Sequence, residues 1–524
     1  MKKNIIVLLS LMLGVYLLPA QTWKEKLEAM ERRVENKMEN QQKTVDLQFA
    51  NQMRRVWKDA TLSNAIDPPP VPKPVNPQIY DPSITPKGRT TELIIIPEQR
   101  EAPRNERIDI PAPREIPNRE VPSRERPDLT PEPAPRAEVD PAAEERTSES
   151  AFMEDKIEAL GATMDATFYG ADLYLRYDRG MAFKPLVYIN ENQIADAWEQ
   201  LENTNYEIFL YQLERYASRY NLNDWGYVQL VNTAAKRIFP RDANSRTIFN
   251  WFCLSQSGYI ATVCYTSNNL YLMMPSTHTL YGRTYLKGKH SSKYYVFDLE
   301  GGKPRLNKVR VFNNQFPKAT KKLNFELNEV PRLSHNVRTK ELKLDYNGKR
   351  YRIPVSVNEN LLEFYDNYPF MDLSVYMQAP LSTDARAAII PALKKITREM
   401  SEQEAANFLL AFVQNSFKYK TDREQFGTER YLFAEETLFY PYSDCEDRSV
   451  LYAYLVQEIL GLEVVGLIFP GHAATAVRFS GRVDGDYITY MGRKYIICDP
   501  TYINADIGML LPQYKSKTVQ VIKI

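Results

Sequence analysis

Between Pro68 and Pro141 the sequence places 19 of its 34 prolines, interleaved with Arg and Glu in blocks such as Ala112-Pro113-Arg114-Glu115-Ile116-Pro117. Proline lacks an N–H and fixes φ at roughly −65°, so this density excludes helix and central strand. Residues 63–149 therefore read as a Pro-rich, disordered and charged linker. At about 3.1 Å per residue it spans on the order of 200 Å when fully extended. Within it, Thr91–Ile96 has the composition of a short strand that adds to a sheet edge. Folded structure has to be sought on either side.

Ahead of the linker, Met1-Lys2-Lys3 and the apolar run Ile5–Leu18 precede Pro19-Ala20. Residues 1–20 read as a secretory signal with Ala20 the last residue removed, because the run is short for a bilayer span. An uncleaved anchor is the alternative, since Leu18 is a mediocre −3 residue. No later apolar run reaches transmembrane length, so no transmembrane anchor is expected after cleavage. The mature protein is expected outside the cytoplasm, periplasmic or extracellular. Residues 21–62 lack glycine and proline and place Trp23, Leu27, Met30 and Val34 at helical spacing. An amphipathic helix is expected there, packed on the folded body or on a protein partner.

Charge and cysteine content exclude several classes. The 67 basic and 66 acidic residues nearly cancel, which leaves no electrostatic footprint for nucleic acid. Four cysteines in 524 residues make no disulfide framework, and neither a C-x-x-C pair nor a His/Cys cluster suggests zinc. No cofactor and no metal site is expected.

After about Ser148 the composition is globular, and the sequence resembles itself. Leu173-Tyr-Leu-Arg-Tyr177 is matched by Leu342-Lys-Leu-Asp-Tyr346, and Ile189-Asn-Glu-Asn192 by Val357-Asn-Glu-Asn360. Gly258 corresponds to Gly461, and Lys293–Asp298 to Lys494–Asp499. The offset grows along the way, and an insertion at Lys418–Pro441 accounts for that. Two consecutive α+β domains of related fold are expected, 150–322 and 323–524.

The second copy carries the chemistry. Ser443 and Glu446 have the spacing of a capping box, which puts Cys445 in a first helical turn, where free N–H groups favour a thiolate. Asp444, Glu446 and Asp447 oppose that charge, so activation requires an imidazolium. His472 opens the small-residue strand His472–Val477, and Asp499 ends the strand Tyr495–Asp499 on the face of Tyr495 and Ile497, with Cys498 pointing away. These three supply nucleophile, base and orienter. In the first copy the matching positions are Asp242, Asn269 and Asp298, so that copy cannot run the same reaction. Cys253 and Cys264 are expected in its core, with a disulfide between them left open.

Asp444-Cys445-Glu446-Asp447-Arg448 at a helix start, Gly471-His472-Ala473 on a strand and Asp499-Pro500-Thr501 after the next resemble the Cys-His-Asp core of the transglutaminase-like superfamily, over roughly Glu402 to Tyr502. The resemblance implies a cysteine-protease-like fold, with the nucleophile helix packed on a small antiparallel sheet. It also implies a thioester mechanism in which Cys445 attacks an amide, His472 acts as base and then acid, and Asp499 orients the imidazole. The Cys445 N–H would help hold the oxyanion. No side-chain oxyanion donor is identifiable, with Gln414, Gln425, Tyr440 and Tyr442 as candidates. The expected function is an exported cysteine amide hydrolase, a peptidase acting on a protein or cell-wall peptide. The alternatives are a cross-linking acyl transferase and a non-catalytic binding or scaffold protein.

Overall fold

The computed structural model describes residues 48–68, 77–82, 90–96, 148–186, 188–288, 292–302, 304 and 306–524. The expected signal segment, the Trp23–Val34 stripe and most of the proline stretch lie outside the described residues.

A helical stretch ends at Met53, and strand β1 (Trp57–Thr61) follows. This corrects the helix expected through residue 62. The segment has helix-forming composition, but the strand Lys308–Phe312 offers it a row of edge hydrogen bonds, and tertiary pairing overrides so weak a local preference. Phe49 anchors the entry, its ring lying against Trp198, Trp251, Phe312 and Phe316.

Strands β2 (Ala162–Phe168) and β3 (Ala171–Tyr177) form a hairpin whose Leu173 and Leu175 are buried while Asp172 and Tyr174 face out. Helices α1 (Glu191–Glu202), α2 (Tyr206–Arg219), α3 (Asp224–Ile238) and α4 (Ala243–Gln256) follow. The strands β4 (Thr262–Tyr265), β5 (Leu270–Pro275), β6 (Tyr285–Lys287), β7 (Lys293–Phe297) and β8 (Lys308–Phe312) complete the first half.

The second half repeats the plan. Hairpin β9 (Val337–Tyr346) and β10 (Lys349–Asn358) turns at Asn347-Gly348, both at positive φ, as the two-residue turn of a twisted hairpin requires. Two short helices, Glu359–Asp366 and Leu373–Gln378, come next, and then α5 (Thr383–Thr397), α6 (Glu402–Ser416), α7 (Asp422–Phe426), α8 (Ala434–Phe439) and α9 (Cys445–Leu460). A short parallel pair, β11 (Lys418–Tyr419) and β12 (Tyr442–Ser443), closes the base of the inserted stretch. Last come β13 (Glu463–Phe469), β14 (His472–Arg478), β15 (Tyr487–Tyr490), β16 (Arg493–Cys498) and β17 (Gln520–Lys523).

The chain is thus α+β, and its two main sheets share one connectivity. The first runs β1-β8-β4-β5-β7-β6, the second β17-β13-β14-β16-β15, with every neighbour antiparallel. In each half the hairpin rests on two helices (α2 and α3, or α5 and α6), the second of these on the next long one (α4 or α9), and the latter on the central strands. A single apolar core runs through both halves, from Trp198 and Trp251 to Leu455 and Val477. Hydrogen bonds from Trp225 Nε1 to Asn367 O (3.1 Å) and from Thr279 N to Asp372 Oδ2 (2.8 Å) tie the halves together.

The sheets' outer faces are covered by the chain that precedes them. Leu62 joins Val296, Val309 and Val311 on the first sheet, and Leu93 joins Val465, Leu467 and Val521 on the second. Parts of 63–149 are therefore docked rather than solvated. Ile79 bridges to Ile503, Glu92 to Tyr487 at one edge of the second sheet and Ile95 to Val519 at the other, so Thr91–Ile96 crosses that sheet on isolated bridges rather than adding to it as an edge strand. Cys253 and Cys264 are both free and buried, in separate apolar clusters, so the disulfide left open does not form.

Candidate active site

His472 is the first residue of β14, paired with Phe469 across the turn Pro470-Gly471. Gly471 has φ +78°, which suits the second central position of a turn opened by proline. The imidazole stacks on Tyr514 (centroids 4.7 Å apart, planes 15° apart) with Phe469 beside the pair, 6.0 Å from the imidazole and 5.4 Å from Tyr514, and it is almost fully buried. The Tyr514 hydroxyl donates to Gly471 O, so the same residue holds both the ring and its turn.

Asp499 follows β16 and is completely buried. Its Oδ2 lies 2.9 Å from His472 Nε2, while Oδ1 accepts from the N–H of Thr501 and of Tyr502. With Nε2 committed to a carboxylate, that nitrogen carries the proton and Nδ1 is left as the acceptor. Tyr495 and Ile497 face the outer cluster and Cys498 the helix side, as the period-two reading requires.

Cys445 opens α9 and is completely buried. The helix cap sits one residue later than the expected Ser443/Glu446 box. Asp444 is the N-cap residue, and its N–H donates to the Asp447 carboxylate. Ser443 instead accepts from Arg448 Nε, and Glu446 meets the thiol. The backbone N–H of Ala473, next in chain to His472, donates to the Cys445 sulfur and brings the helix start to the histidine strand. The thiol itself donates to Glu446 Oε2 at 2.9 Å. Burial, then the charges of Glu446 and Asp444, push its pKa well above the ordinary thiol value. In this conformation the sulfur is protonated and closed to solvent, so the opposition expected from the flanking acids outweighs the helix terminus.

Of the candidate oxyanion donors, Gln414 is fully committed elsewhere. Its Nε2 donates to the carbonyls of Asp499, Tyr502 and Ala505, and its Oε1 accepts from Asn504 N. Tyr442 carries the Lys420 ammonium over its ring, and Tyr440 packs on Phe426 and Phe439. Two further tyrosines, Tyr419 and Tyr431, lie near Cys445, and burial keeps both phenols protonated. Nothing in the local sequence of Tyr514, Tyr419 or Tyr431 distinguishes them from other buried aromatics.

In the first half, Asp242 caps α4 through the N–H groups of Asn244 and Ser245, and Asp298 accepts from Glu300 N. Comparison with protein-family models, curated proteins and solved structures finds no match to this chain.

Proposed function

We propose that the chain is an exported, transglutaminase-like cysteine amide hydrolase, a peptidase acting on protein or cell-wall peptide through a thioester. The reading divides it into two consecutive transglutaminase-like domains, 150–322 and 323–524, the first degenerate. The observation that carries it is the buried His472–Asp499 pair at 2.9 Å, with the sulfur of Cys445 held against the adjoining Ala473 N–H. The shared strand order of the two sheets supports the domain division.

In the proposed reaction the Cys445 thiol leaves Glu446 and passes its proton to His472 Nδ1 as sulfur bonds to the amide carbon. The oxyanion is held by the Cys445 N–H, with Tyr419 as the side-chain donor. Collapse breaks the C–N bond, and the imidazolium returns its proton to the leaving amine. Water, deprotonated by the same nitrogen, then cleaves the thioester and regenerates the thiol.

The test is incubation of the full chain with a peptide mixture containing glutamine and a tagged amine, read by mass spectrometry. Amide hydrolysis that disappears in Cys445→Ala supports the hydrolase. Cys445-dependent incorporation of the amine makes the protein a cross-linking transferase instead. A second reading, a non-catalytic binding protein, is favoured by the thiol's bond to Glu446 and its complete burial. Cleavage of no peptide, with Cys445 unreactive to thiol probes until denaturation, selects it.

A further inference from the structure

Side chains one residue apart on a helix point about 100° away from each other. Glu446, the second residue of α9, nevertheless folds back over the helix start to meet the Cys445 thiol, with Oε2 2.9 Å from Sγ. Glu446 is 6 % exposed and Cys445 fully buried, so the contact is made inside the protein rather than by a solvated carboxylate in passing. Glu446 also meets the carboxyl of Asp444. Two acids in contact share a proton, and burial, then the charges of Glu446 and Asp447, push the Asp444 carboxyl well above the ordinary range, which keeps that proton in place. The pair presents one negative charge to the sulfur, and the thiol donates to it.

The other groups around the sulfur do not hold its proton in this way. The Ala473 N–H donates to the sulfur, the open N–H groups of the first turn of α9 favour an anion, and the Arg448 guanidinium stands almost one turn along the same helix. From the neighbouring elements come the phenols of Tyr419, Tyr431 and Tyr514, which burial keeps protonated, and the imidazole of His472, whose Nε2 is held by Asp499 and whose Nδ1 is the acceptor. After burial itself, the Glu446 charge is the largest influence against a thiolate. Two negative charges at hydrogen-bond distance repel strongly where water is excluded.

We propose that Glu446 is a latch on the nucleophile: it holds the Cys445 proton away from His472 and keeps the sulfur in its unreactive thiol form until the carboxylate turns away. The proposal rests on the reading of Cys445 as the nucleophile and adds the residue that restrains it. Release moves one proton from sulfur to His472 Nδ1 and leaves a thiolate against the Ala473 N–H, with no other bond changed. Removing the charge while keeping the shape should therefore speed the reaction of Cys445, whereas loss of a residue that assists the nucleophile would slow it. Glu446→Gln makes that change, since its amide oxygen can still accept from the thiol and its amide N–H can donate to a thiolate.

The test is alkylation of the full-length protein by iodoacetamide across pH, followed at Cys445 by mass spectrometry, with melting curves to establish that the variant is folded. Glu446→Gln should raise the rate at neutral pH about tenfold or more and move its pH midpoint down by about one unit or more. An unmoved midpoint, or a rate no higher than that of the native protein, overturns the proposal. One measurement needs no change at Glu446: the infrared difference between the native protein and Cys445→Ala should show the S–H stretch of a hydrogen-bonded thiol. The band of a free thiol overturns the latch equally. Faster alkylation of Glu446→Gln with no peptide cleaved by either protein supports the latch and sinks the hydrolase reading. Peptide cleaved by both proteins, with equal alkylation, keeps the hydrolase and overturns the latch.

Discussion

Asp499 uses both carboxylate oxygens, one on the imidazole and one on two backbone N–H groups, so its position follows from the backbone rather than from packing. Asp499→Asn keeps most of those contacts but presents an amide to Nε2, which disturbs the histidine tautomer. Turnover of a cleaved peptide should fall about 10²–10⁴-fold with little change in KM, measured by steady-state kinetics. These residues were legible in the sequence because each adjoins a backbone signal, a helix start at Cys445, Pro470-Gly471 before His472 and Pro500 after Asp499. Glu446 as thiol acceptor and Tyr514 beneath the imidazole were not legible, since their roles arise from contacts across the fold and leave no local pattern.

At the scale of elements, α6 positions the loop after β16 through one side chain. Gln414→Leu removes four hydrogen bonds and strands buried carbonyls of Asp499, Tyr502 and Ala505. Chemical denaturation should show a loss of about 2–4 kcal/mol. The entry segment is held more lightly. Arg54 pairs with Glu199 and Asp196 on α1, and its hydrogen bond to Glu199 is the largest influence lowering that carboxyl's pKa. The folded value therefore lies below the unfolded one, so the stabilisation is present above the ordinary glutamate range and is lost as pH falls through the lowered value. Arg54→Ala should cost about 0.5–1 kcal/mol at neutral pH and progressively less as pH falls below the ordinary glutamate range, checked by paired melting curves. Local composition points to helix at β1 because the partner strand, β8, lies some 250 residues away and supplies the hydrogen bonds that decide the matter.

Across the whole molecule, one segment of chain covers both sheets before either is made. Leu62 and Leu93 each fill an outer apolar face; Leu62 has no apolar neighbour in sequence to mark it, whereas Leu93 lies in Thr91–Ile96, whose strand-like composition does. Leu93→Asp would bury a charge among Val465, Leu467 and Val521, and should destabilise the protein by about 3–5 kcal/mol in equilibrium unfolding. The repeated order of hairpin, helices and sheet was legible through paired motifs, although a single core joins the halves more closely than two beads on a string. Only the second half has a thiol, an imidazole and a carboxylate at the matching places. The proposed reaction requires those three to act together, which labelling of Cys445 by a peptidyl vinyl sulfone tests most directly. Native protein should be modified at Cys445, and His472→Ala should slow that reaction at least 100-fold. Equal rates in the two proteins, or labelling of Cys445 only after denaturation, would contradict it.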